Sequence, residues 1–218
     1  MKKAVIIILL VLLLDQALKF FVKTTMYLGE SHRILGNWFY IYFTENEGMA
    51  FGMKLGGNFG KLFLSLFRIA AVIIIGWWLH KIVKRNGSTG LIVCISLIMA
   101  GAMGNIIDSM FYGLIFNDPV AGCVPQVATL FPKEGGYAGF LHGKVVDMLY
   151  FPIIDTTFPT WFPFWSGEKF VFFRPIFNIA DSSITIGVFL LILFQRKFFP
   201  NPEKPSSEIS DQSGSQTL

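Results

Sequence analysis

Apolar residues fall into four long runs separated by polar and aromatic stretches, a pattern that predicts an α-helical integral membrane protein with four transmembrane helices. The first run, Ala4 to Val22, is about the ~20 residues a helix needs to cross a bilayer core. Lys2 and Lys3 before it give it the look of a signal peptide. No small-x-small cleavage site follows, so an uncleaved first helix (about 4–22) is expected. The other runs are about 62–79, 91–111 and 176–194. Between the first two, Asn37–Trp38–Phe39–Tyr40–Ile41–Tyr42–Phe43 is aromatic and β-branched, a strand signal. Gly48 and Gly52 just beyond allow tight turns, so a small β-sheet is expected on the membrane surface. Residues 112–175 are rich in Pro, Gly and aromatics and predict a long outer loop. Its stretch Trp161–Trp165 is expected at the membrane interface. Residues 1–199 read as one membrane-embedded domain. Residues 200–218, rich in Pro, Ser, Glu and Gln, read as a disordered cytoplasmic tail.

Composition supports this reading. The 218 residues are 53% hydrophobic and 15% charged, against roughly 25% charged in ordinary soluble domains. The net charge of +4 comes from basic residues flanking the apolar runs, which suits membrane topology and not a nucleic-acid footprint. Cys94 and Cys123 have no metal-ligand spacing, and His32, His80 and His142 are scattered. No nucleotide motif is present.

Short basic segments set the orientation. Lys2–Lys3, Lys84–Arg85 and Arg196–Lys197 would all be cytoplasmic, with both termini inside and segments 23–61 and 112–175 outside. The unusual polar residues then converge on one level. Asp15 and Lys19, one helical turn apart, lie in the outer half of the first helix; Asn105 and Asp108 lie near the outer end of the third. Asn178 and Asp181 repeat the same Asn-x-x-Asp spacing at the outer start of the fourth. Asp147 and the Asn46–Gly48 stretch belong to the outer segments. Helix-packing polar residues would not require this convergence; a functional site would. Arg68, inside the second run, is expected to snorkel to the interface.

Aspartates without a metal motif or a reactive thiol point to two chemistries. One is a carboxylate pair sharing a proton, in which the ionised member activates water and the protonated member donates to the forming oxyanion. The other is a proton relay in a small carrier, which would spread carboxylates across the membrane depth. On spacing alone the partner of Asp181 is either Asp108 or Asp147.

Five strings, in order among the four apolar runs, resemble the lipoprotein signal peptidases (signal peptidase II), aspartic peptidases of bacterial cytoplasmic membranes. They are Asp15–Gln16–x–x–Lys19, Asn46–x–Gly48–x–Ala50–Phe51–Gly52, Gly101–x–x–Gly104–Asn105–x–x–Asp108, Val145–Val146–Asp147 and Phe177–Asn178–x–Ala180–Asp181. The resemblance implies Asp147 and Asp181 as the catalytic pair. It implies Asn105 and Asn178 as residues that orient the pair or hold substrate backbone, with Asp108 beside them. Asn46 and Gly48 would line the surface cradle, and Asp15 and Lys19 would support the site. The implied reaction is removal of the signal peptide from a diacylglyceryl-modified prolipoprotein, by cleavage before the lipidated cysteine. No metal or organic cofactor is implied. The partners would be that substrate and membrane lipid, with no nucleic acid, and the chain would act as a monomer. Two departures stand out. Ser109 occupies a position where the family often carries Arg, for which Lys144 or Arg174 could substitute. Residues 116–143 resemble an insertion that would enlarge an outer lid.

Overall fold

The computed structural model describes residues 1–46, 57–119, 126–161 and 164–199. Gly48, Cys123 and the tail after 199 lie outside the described residues. Among the described residues, three helices are long and apolar enough to cross a membrane: α1 (Lys2–Thr25), α2 (Gly57–Lys84), and α3 (Thr89–Ile107) with its continuation. That continuation is a π-helical turn, Asp108–Tyr112, followed by the short α4, Gly113–Ile115. The fourth apolar run gives a shorter helix, α5 (Ile179–Leu193), followed by α6 (Gln195–Phe198). It starts three residues later than the apolar run because Asn178 caps it: the Asn178 side-chain oxygen accepts the Asp181 backbone N–H at 2.9 Å. Residues Ile176–Phe177 are a strand instead.

The helix faces turned away from one another carry Leu9, Leu13, Phe63, Phe67, Ile74 and Phe189, all exposed. So much apolar surface would be an aggregation liability in water and is the expected contact with lipid. Between helices, small residues permit close approach. A Cβ on Gly101 of α3 would lie 2.1 Å from the Ala180 carbonyl oxygen of α5. One on Gly187 of α5 would meet the Cys94 carbonyl oxygen of α3 at 2.8 Å.

At one end of the bundle sits a four-stranded antiparallel sheet in the order β1 (Ser31–Leu35), β2 (Phe39–Asn46), β3 (Val145–Tyr150), β6 (Ile176–Phe177). The expected sheet is present, and β3 and β6 extend it, so that Asp147 lies on an inner strand. A separate hairpin, β4 (Ile154–Thr157) and β5 (Lys169–Phe172), projects between β3 and β6. The sheet is fixed to the helices by a buried cluster of Val22, Met26, Phe43, Tyr112, Phe116, Ala128, Val146 and Met148. Within it Phe20, Tyr112 and Phe116 pack edge-on or tilted. A second cluster, built on Ala4, Leu79, Ile82, Leu91 and Ile95, closes the opposite end of the bundle.

Candidate active site

Polar side chains from α1, the end of α3, β2, β3 and α5 meet where the sheet joins the bundle. The innermost layer is an ion cluster. The Lys19 ammonium, with no solvent exposure, donates to Asp15 Oδ2 (2.9 Å), Asp108 Oδ2 (2.8 Å) and Asn105 Oδ1 (3.0 Å). Three acceptors use all three of its N–H groups. A buried ammonium is tolerable only when paired in this way. Gln16 completes the layer, donating to Asp108 Oδ1 (2.9 Å), Asp15 Oδ2 (3.2 Å) and the Gly104 carbonyl (3.3 Å), while accepting from the Tyr112 hydroxyl (3.2 Å).

Each carboxylate of this cluster also holds a backbone amide. Asp15 Oδ1 accepts the Ala180 N–H at 2.8 Å, and Asp108 Oδ2 accepts the Val146 N–H at 3.3 Å. Ala180 precedes Asp181, and Val146 precedes Asp147. The ion cluster therefore fixes the backbone immediately before each outer aspartate. Close packing adds to this: a Cβ on Gly143 would fall 2.1 Å from the Asp108 carbonyl oxygen, and the Gly143 N–H donates to the Ser109 carbonyl at 2.8 Å. The chain entering β3 is thus seated directly on the π-helical turn.

The outer layer contains the two aspartates. Asn178 Nδ2 donates to Asp147 Oδ1 (2.7 Å), with longer contacts to Asn105 Oδ1 (3.1 Å) and the Val146 carbonyl (3.2 Å). Asn105 Nδ2 donates to Asp181 Oδ1 at 2.8 Å. Asn46, at the end of β2, donates from its side-chain amide to Asp147 Oδ2. Asp147 and Asp181 are therefore linked through two asparagine side chains. Asp108 is turned inward, to Lys19, Gln16 and Val146. Burial, and then the neighbouring charge of Asp181, push Asp147 up to about 7; the Lys19 charge and the N–H donors of Asn178 and Asn46 act in the opposite direction.

The structure thus brings together Asp15, Lys19, Asn46, Asn105, Asp108, Asp147, Asn178 and Asp181. Gly48 is outside the described residues. Lys144 lies elsewhere, pairing with Glu45 (3.6 Å) and Asp118 (4.0 Å). Ser109 is buried, and its hydroxyl donates to the Asn105 carbonyl at 3.0 Å. Two participants were missed from sequence. Gln16 stood in a quoted string without a role. Arg68, read from the sequence only as able to snorkel to the interface, interacts electrostatically with Asp181, Asp108 and Asp147. A charge within a membrane helix is by itself a signal of function, and that signal was available at Arg68.

The chain is also similar to known proteins. The family model described as signal peptidase (SPase) II matches residues 7–197. The chain belongs to the signal peptidase II family. A lipoprotein signal peptidase of Porphyromonas gingivalis is 54% identical over 188 residues, covering 86% of this chain and 80% of the relative. One from Amoebophilus asiaticus is 36% identical over 210 residues, covering 94% and 83%. A solved bacterial membrane enzyme is 26% identical, with a TM-score of 0.57 and 94% of each chain covered. A signal peptidase II fold therefore accounts for the three long apolar helices and the small sheet together.

Proposed function

We propose that the chain is a membrane aspartic endopeptidase that removes signal peptides from diacylglyceryl-modified prolipoproteins, cutting before the lipidated cysteine. The observation that carries the aspartic assignment is the pair Asp147 and Asp181, linked through Asn178 and Asn105. Two carboxylates coupled in this way ionise together only at a high cost, so they hold one proton between them. The ionised member takes a proton from water, whose oxygen attacks the scissile carbonyl carbon. The protonated member gives its proton to the carbonyl oxygen, leaving a neutral gem-diol. Collapse re-forms the carbonyl as the now ionised member takes back a hydroxyl proton, and breaks the C–N bond as the departing amine takes the proton of the other member, which restores the single proton of the dyad. Asn46 contributes to the cradle that holds the signal peptide; Asn105 and Asn178 orient the pair. Both termini lie in the cytoplasm and the dyad at the outer face of a bacterial cytoplasmic membrane, an orientation that the charge pattern of the short loops supports. There the lipid chains of the substrate keep its cysteine level with the aspartates. The protein acts as a monomer in contact with lipid.

The test is cleavage by the purified protein in liposomes, with product masses read for lipidated and unlipidated forms of one prolipoprotein. Cleavage of the lipidated form alone, before the modified cysteine and unaffected by a chelator, is expected. Cleavage at another bond, or loss of turnover with chelator, would contradict the reading.

A further inference from the structure

The two asparagines between the aspartates have opposite ends, and which end faces which carboxylate decides how the dyad is charged. An amide N–H favours an ionised carboxylate, whereas an amide C=O favours a protonated one. Both orientations are fixed by groups that can only donate. The Asp181 backbone N–H points at Asn178 Oδ1, which turns the Asn178 amide nitrogen to Asp147. For Asn105 the donor is the Lys19 ammonium, 3.0 Å from Oδ1, which turns the Asn105 amide nitrogen to Asp181. Lys19 is itself immobilised by Asp15 and Asp108 and is sealed from solvent, so it has no alternative partner in water.

We infer that Lys19 is a positioning residue for the reaction: it locks the Asn105 amide with its N–H toward Asp181, so that Asp181 Oδ1 is kept unprotonated, as both oxygens of Asp147 are by Asn178 and Asn46. This deepens the dyad reading and rests on it. It gives the buried ion cluster a function beyond holding the fold. Without the ammonium, Asn105 Oδ1 keeps only the N–H that Asn178 shares with it at 3.1 Å, and an Asn105 amide that turns offers its carbonyl to Asp181, which stabilises the protonated form of Asp181 at Oδ1. Other charges stand close by: Arg68 from α2 interacts electrostatically with both aspartates, and Asp15 from α1 and Asp108 from the π-helical turn hold the Lys19 ammonium. Removing the Lys19 charge also acts on the aspartates directly through space, so the test must separate the two effects.

A double-mutant cycle separates them. Lys19→Met, Asn105→Ala and the combined variant are compared by kcat, KM and pH–rate profile on a lipidated prolipoprotein, with folding checked by thermal unfolding in detergent. Lys19→Met is expected to lower kcat about 10²-fold, as small misplacements of reacting groups do, and to move the profile to higher pH. The same change in an Asn105→Ala background is expected to lower kcat much less and to leave only the smaller through-space shift, because no amide remains to turn. Equal losses and shifts in both backgrounds would mean that Lys19 acts by charge or by fold alone and would overturn the inference. Should Lys19→Met fail to fold, Lys19→Met with Asp15→Asn keeps the net charge of the cluster and carries the same comparison. Asp147→Asn and Asp181→Asn, run alongside, keep the dyad reading separate: activity in either would refute the dyad itself, whatever the cycle shows.

Discussion

At the scale of single residues, the site assigns different work to carboxylates of one chemical type. Asp15 and Asp108 neutralise Lys19 and hold backbone amides, while Asp147 and Asp181 face each other's asparagines. Asp147 carries a consequence that stability measurements can read. Its folded pKa, near 7, stands above the ordinary value of 3.8. A carboxyl raised in this way contributes stability that is fully present below the unfolded pKa and is lost as pH rises through the folded one. Unfolding in detergent should therefore show stability falling between about pH 4 and pH 7, by at most about 1.4 kcal/mol per pH unit. Asp147→Asn should flatten that slope; an unchanged slope would show that other groups produce it. Asp181, Asn178 and Asp15 were legible in the sequence as polar residues inside apolar runs. The choice between Asp108 and Asp147 was not. Both reach the same level from adjoining elements, and only the Asn178 side chain, directed to Asp147, distinguishes them.

At the scale of elements, the site depends on how closely α3 and α5 approach. Gly101 faces the Ala180 carbonyl, one residue before Asp181. Gly101→Ala should destabilise the fold by about 1–3 kcal/mol through overpacking. It should also lower kcat more than it raises KM, because the displaced segment carries Asp181, a member of the proposed reacting pair, and not the proposed cradle. Wild-type melting and turnover in that variant would mean that the helices separate at little cost. The β2 strand has its own anchor: Lys23, fully buried, pairs with Glu45 and lies near the rings of Phe43, Phe116 and Tyr137. Phe116 and Tyr137 fall within the 116–143 stretch that resembles an insertion, so this stretch braces the strand end carrying Asn46. Cutting the brace with Tyr137→Ala should raise KM, measured on the lipidated substrate, and an unchanged KM would detach the stretch from the cradle. The helices were legible because four apolar runs of near-bilayer length allow few alternatives. Strand β1 was not: Ser31–His32–Arg33–Ile34–Leu35 is exposed throughout, and without a buried face it has no alternation to read. The π-helical turn at Asp108–Tyr112 was equally hidden. Its sequence continues an apolar helix, and the extra residue per turn shows only in where Asp108 and Ser109 are aimed.

At the scale of the whole molecule, the buried charged residues among those described gather at one end of an apolar bundle, and a sheet is fitted over that end. Such a division suits a substrate whose cysteine is held at the membrane boundary by its own lipid. It does not suit a relay that must carry protons through the membrane depth. The 200–218 tail lies outside the described residues. Truncation after Pro200 is expected to leave cleavage intact, and lost activity in a folded truncation would give the tail a role. The central claim is that Asp147 and Asp181, and not Asp108, form the reacting pair. Its most direct test is turnover of a diacylglyceryl-modified prolipoprotein by Asp147→Asn, Asp181→Asn and Asp108→Asn, each verified as folded. Turnover should vanish in the first two and persist, reduced, in the third. Activity retained in Asp147→Asn with none in Asp108→Asn would contradict the account and transfer the partnership with Asp181 to Asp108.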